Sequence, residues 1–103
     1  MTLKETIAMV EAFHNAFGIE NRHKPTAQLS KAQQELRYRL MAEENDEYLE
    51  AVKNNDLVEI ADALGDQLYI LCGTILKHGL QDKIAAVFKE IQRSNMSKLD
   101  ADG

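Results

Sequence analysis

Between Lys53 and Lys77 the chain has no lysine or arginine, and this stretch most constrains the fold. At roughly 100° per residue, Leu57, Ala61, Leu64, Leu68, Leu71 and Ile75 share one face of a helix. Glu59, Asp62 and Asp66 fall within a ~60° arc on the opposite face. The rest of the helix surface is apolar nearly all the way round, which argues for burial. A helix of this kind is expected to sit centrally, with neighbours on both sides.

The acid stripe belongs to a larger feature. From Glu43 to Asp66 the chain carries nine acids against the single base Lys53, a net charge of −8 within a total of −5. A solvated helix intersperses its acids with bases. Here Glu43, Glu44 and Glu47 fall on the face shared by Leu36, Leu40 and Ala51, which is expected to enter a core. Two inward-facing acid clusters on neighbouring helices cannot all stay ionised without a compensating charge.

The remaining signals are helical. Thr2 and Glu5 form a capping-box pattern ahead of Leu3, Ile7, Val10, Phe13 and Phe17, and Gly18 is placed to end that helix. Residues 18–30 lack a period, and Pro25 makes them a loop. Ser30, with Gln33, opens a second helix that runs to about Lys53. Asp56, with Glu59, opens the third, which ends near His78 at Gly79. A fourth is expected from about Asp82 to Ser94, with Ile84, Val87, Phe88 and Ile91 on its apolar face and a polar tail behind it. Short connections favour antiparallel neighbours, so the expectation is one all-α domain over residues 1–103, an antiparallel bundle of about four helices. The acidic balance disfavours a nucleic-acid partner. No apolar run is long enough for a membrane span, and no signal peptide is visible. A lone Cys72, expected to be buried beside Leu68 and Ile75, fits a reducing cytoplasm. Tyr69 reads as a core residue, and His14 and His78 as ordinary helical residues.

Glu44-x-x-Glu47 and Glu59-x-x-Asp62 each set two carboxylates on one helical turn. Oxygen-only ligation without histidine suits a hard cation, Mg²⁺ or Mn²⁺, and Mg²⁺ typically bridges carboxylates to substrate phosphates. Asp66, one turn past Asp62, is a further candidate ligand. Glu50 is read as lying off the acid face.

The pattern Glu43-Glu44-x-x-Glu47 followed by Glu59-x-x-Asp62 resembles the all-α nucleoside triphosphate pyrophosphohydrolases. That superfamily includes MazG, the all-α dUTPases and dCTPases, and phosphoribosyl-ATP pyrophosphohydrolase. DALGDQLY (residues 62–69) and SNMSK (residues 94–98) are similar to its MazG-like, dUTPase-like branch. Ile70 stands where phosphoribosyl-ATP pyrophosphohydrolases carry a histidine, and Asp66 where they carry a metal-binding aspartate. The resemblance implies cleavage of a nucleoside triphosphate to a monophosphate and pyrophosphate, in a homodimer or homotetramer. It also implies that Asn95 and Lys98, with Arg93 beside them, meet the substrate. For Tyr69, stacking near the nucleotide base is the alternative to a place in the core. Water must attack the α-phosphorus, and Glu43, next to the ligand pair, is the candidate general base.

Two other readings stay open on sequence. Glu11-x-x-His14 and Glu20-x-x-His23 match an element of di-iron carboxylate bundles. A non-enzymatic helical oligomerisation or regulatory module would also account for the apolar faces.

Overall fold

The computed structural model describes the backbone of residues 1–102 and the side chains of residues 1–99. It holds four helices: α1 (Leu3–Ala16), α2 (Lys31–Lys53), α3 (Leu57–Lys77) and α4 (Ile84–Asp102). No strand occurs among the described residues. The three expected caps all form. Thr2 accepts the Glu5 N–H at 3.1 Å, Ser30 that of Gln33 at 3.2 Å and Asp56 that of Glu59 at 3.1 Å. Each satisfies an amide that the first helical turn leaves without a partner. Gly18 and Gly79 end α1 and α3 in the left-handed region. At Gly79 a side chain would also collide with the Lys24 carbonyl.

α3 lies between α1 and α2, as its composition demanded. Both neighbours run antiparallel to it. Arg37 meets Thr74, and further along α2 Asn45 meets Gln67, so each step up α2 is a step down α3. On the other side Ile7 and Val10 of α1 pack with Cys72, Ile75 and Leu76 to form the core, joined by Leu80 and Ile84. Cys72 is buried there as expected. Tyr69 stands at its edge, half-exposed, in an edge-on contact with Phe13 whose ring centroid is 5.6 Å away.

Two expectations about burial and length need correction. Of the leucine stripe on α3 only Ile75 is buried; Leu57, Leu64, Leu68 and Leu71 are exposed, because α1 covers only the C-terminal half of α3. The fourth helix does not stop near Ser94. It runs through the polar tail, since nothing between Ser94 and Asp102 is a glycine or proline that would end it. α4 leaves the body of the bundle after its first turn, and every residue from Ala85 to Leu99 is exposed.

The loop over residues 18–30 is free of helix, as expected, but it is tied down. Arg22 N–H donates to Leu76 O at 3.0 Å and Thr26 N–H to His78 O at 2.9 Å. Lys77 Nζ donates to Glu20 O at 2.6 Å and Gln81 Nε2 to Arg22 O at 2.7 Å. The loop thus takes up carbonyls that the end of α3 leaves free.

Candidate metal centre

The antiparallel register of α2 and α3 brings two turns of acid together. Glu44, Glu47 and Asp66 place carboxylate oxygens within 4.8 Å of one another. Glu44 and Asp66 are half-buried, and Glu47 is at the surface. Glu44 Oε2 is buried without a hydrogen-bond partner among the described residues. A buried carboxylate oxygen left unpaired is costly, so this oxygen is positioned for a donor or cation from outside the chain.

Burial pushes the Glu44 carboxyl above the usual carboxylate range, and the acids of Glu47, Asp66 and Asp62 push it further. Asp66 is raised for the same reasons, burial first and then Asp62 and Glu47. The other expected ligands lie next to this trio. Glu59 and Asp62 are exposed and line a cleft of about 370 Å³ with Glu47, Ala51, Asn54 and Ala63. Glu47 therefore belongs both to the tight trio and to the open cleft.

Glu50 corrects the sequence reading: it lines that same cleft rather than lying off the acid face. It stands one turn past Glu47, a spacing that keeps two side chains on neighbouring parts of one face. Glu43, by contrast, is exposed outside the cleft lining, with Arg39 Nε 3.9 Å from its carboxylate. The residues expected on the phosphates or sugar are not brought to the acids within one chain. On α4, Arg93 is held by Glu90 at 2.6 Å and Lys98 donates to Asn95 at 3.0 Å.

The Glu-x-x-His pairs do not assemble a site. His14 is buried and donates from Nδ1 to Asn21 Oδ1 at 2.6 Å, while Glu20 pairs with Arg22 at 3.2 Å. Sequence reasoning missed Arg37, which is 7% exposed and lies two turns before Glu44 on the same face. The helical wheel that found Glu44 marks it too. It missed Gly73 as well, where a Cβ would stand 2.6 Å from Arg37 Nη2 and 3.0 Å from His14 Nε2. A glycine inside an otherwise apolar helix was the available signal.

Three carboxylates within this distance, on two antiparallel helices, are able to hold a divalent cation through oxygen ligands alone. The family model for phosphoribosyl-ATP pyrophosphohydrolase matches residues 10–95, and the chain belongs to that family, part of the all-α nucleoside triphosphate pyrophosphohydrolase superfamily. It is a pyrophosphohydrolase, a hydrolase acting on acid anhydrides, and not a regulatory module without activity. No curated protein and no solved structure matches it. Among the described residues, no helix is long and apolar enough to cross a membrane.

Proposed function

We propose that the chain is a single-domain, Mg²⁺-dependent hydrolase that converts a nucleoside triphosphate, dUTP-like or non-canonical, to the monophosphate and pyrophosphate. The observation that carries this reading is the partnerless oxygen of Glu44 beside Glu47 and Asp66. An all-oxygen donor set suits Mg²⁺, with Mn²⁺ as substitute, and Asp62 and Glu59 extend it across the cleft. When bound, the ion offsets the charge of the phosphate oxygens and makes the phosphorus open to attack. The carboxylates of this chain hold that charge in place and exclude anions until it arrives. Ile70, at the position of a family histidine, favours an ordinary nucleotide over phosphoribosyl-ATP as substrate.

Glu43 is the proposed general base, taking a proton from the attacking water once Arg39 releases it. A second reading gives that role to Glu50, because it already lines the cleft. Arg93, Asn95 and Lys98 would bind phosphate or sugar from a second copy, since α4 stands away from its own acids. On this reading the working form is a homodimer or homotetramer, and the free Cys72 thiol suits the cytoplasm. The test is a panel of canonical and modified nucleotides, with phosphoribosyl-ATP included, in ¹⁸O-water with Mg²⁺. Label in the monophosphate, with pyrophosphate released, is the expected outcome. Release of orthophosphate with a diphosphate would overturn it.

A further inference from the structure

A second cavity, of about 560 Å³, lies between the loop over residues 18–30, the first turns of α2 and the end of α3. Its wall carries Arg37, seven residues or about 10 Å along α2 from Glu44, and Lys77, more than two turns along α3 from Asp66. Arg37 is 7% exposed and Lys77 5%. Neither forms a salt bridge among the described residues. Their acceptors are all neutral: Arg37 donates to Thr74 Oγ1 at 3.1 Å and to Ile70 O at 2.9 Å, and Lys77 to Glu20 O at 2.6 Å. The Arg37 Nη1 group and the other ammonium protons of Lys77 have no protein acceptor among the described residues.

The lining carries three cations, Arg22, Arg37 and Lys77, against the one carboxylate of Glu20, an excess of positive charge that suits an outside anion. Burial lowers the affinity of both groups for their protons. At Lys77 the nearby Glu20 opposes that effect, while Arg22 and Arg37 add to it. The nearest acid, Glu20, is engaged by Arg22 at 3.2 Å. Arg22 itself stands at the mouth of the cavity as a third cation. Ser30, the N-cap of α2, borders the space. Leu36 and Leu40 form an apolar wall on the side that leads along α2 toward Glu44.

We propose that this cavity is an anion site for a phosphate group, either free phosphate or the phosphate of a nucleotide, with Arg37 and Lys77 as its charge partners. Arg22 completes the site at its mouth, and Leu36 and Leu40 hold the body of a ligand that carries the phosphate. The site is separate from the carboxylate trio and does not depend on it.

The test uses the full-length protein in EDTA, where acids without a divalent ion repel phosphates, and the Lys77 and Arg22 variants tell binding in the cavity from binding at Arg93 or Lys98. Orthophosphate, pyrophosphate and a nucleoside monophosphate are each compared with chloride at matched ionic strength. A melting temperature several degrees higher with at least one of them is expected, with saturable binding by calorimetry. A nucleoside monophosphate that binds more tightly than orthophosphate identifies the ligand as a nucleotide, and the reverse order identifies a free anion; both support the site. Lys77→Met should weaken binding about tenfold or more, the loss of one charge-assisted hydrogen bond. Arg22→Ala, at the surface, should weaken it several-fold and keeps the test open if Lys77→Met does not fold. In the wild type the Arg37 Nε–H resonance should move on titration with the bound anion. Identical melting in phosphate and chloride, affinity unchanged in both variants, or an unmoved Arg37 resonance would each overturn the proposal. None of these results would touch the hydrolase reading, which requires the divalent ion.

Discussion

Glu44 has a buried oxygen without a partner among the described residues, and its neighbours are carboxylates. Glu44→Gln removes a charge from that group and supplies an amide N–H to Glu47 or Asp66. The metal-free variant should therefore melt higher than wild type, by on the order of 1 kcal/mol of stability. Its turnover should fall on the order of 100-fold, because a displaced ion misaligns the reacting phosphate. The same acids set a pH dependence. Glu44 and Asp66 take up protons more readily folded than unfolded. Their contribution to metal-free stability is thus complete below the ordinary carboxylate range and is lost as the pH rises through their raised native values. Melting curves in EDTA should shift upward as the pH is lowered from neutrality toward the ordinary carboxylate range. Saturating Mg²⁺, at 100 times its dissociation constant, should add ~2.7 kcal/mol at neutral pH, and Glu47→Gln should lose most of that gain. Glu43→Gln and Glu50→Gln, compared for kcat with Mg²⁺ affinity held in view, decide which acid acts on the water. The general base should cost kcat without loosening the metal.

At the scale of the helices, two glycines of α3 make opposite predictions. Gly73 faces Arg37 and His14, which are held by Ile70 O at 2.9 Å and by Asn21 at 2.6 Å and so cannot easily move away. Gly73→Ala should destabilise, since overpacking costs about 1–3 kcal/mol and exceeds the roughly 1 kcal/mol that alanine returns in a helix. Gly65 has nothing within 4 Å of the position of an added Cβ. Gly65→Ala should stabilise by up to about 1 kcal/mol, measured by chemical denaturation of the two variants side by side. The helices were legible where their signals are local. Thr2, Ser30 and Asp56 start them, and Gly18 and Gly79 end them, through contacts within a few residues. The end of α4 was not legible, because polar residues without glycine or proline carry no stop signal of their own. The acid trio could be read from one helical wheel per helix. The Arg37–Lys77 cavity could not, because it is closed by a loop that the sequence leaves without a period. Glu50 was misread because a cleft between two helices accepts a wider arc than one stripe.

The whole chain is open for its length. Its radius of gyration is 16.0 Å, against about 13 Å for a compact chain near this size. Leu57 and Val58 are each 77% exposed, and Phe17 and Phe88 exceed 60%. Apolar area on this scale is unusual for a soluble monomer. Light scattering at micromolar concentration should give a multiple of the 11.6 kDa chain mass. Leu68→Glu or Phe88→Glu, each placing a charge on an exposed apolar face, should shift the mass downward and lower turnover together. A wild-type mass of one chain would contradict both the assembly and the placement of Arg93, Asn95 and Lys98 on a neighbour's substrate.

The loop over residues 18–30 donates amides to Leu76 and His78 and receives protons from Lys77 and Gln81. A segment without helix or strand therefore opens only when the end of α3 opens with it. In deuterated buffer the Arg22 and Thr26 amides should exchange as slowly as those of the α3 core, on the timescale of global unfolding. Trypsin, likewise, should pass over the bonds after Arg22 and Lys24 while the fold persists, although both residues lie in what a sequence alone presents as an ideal cutting site.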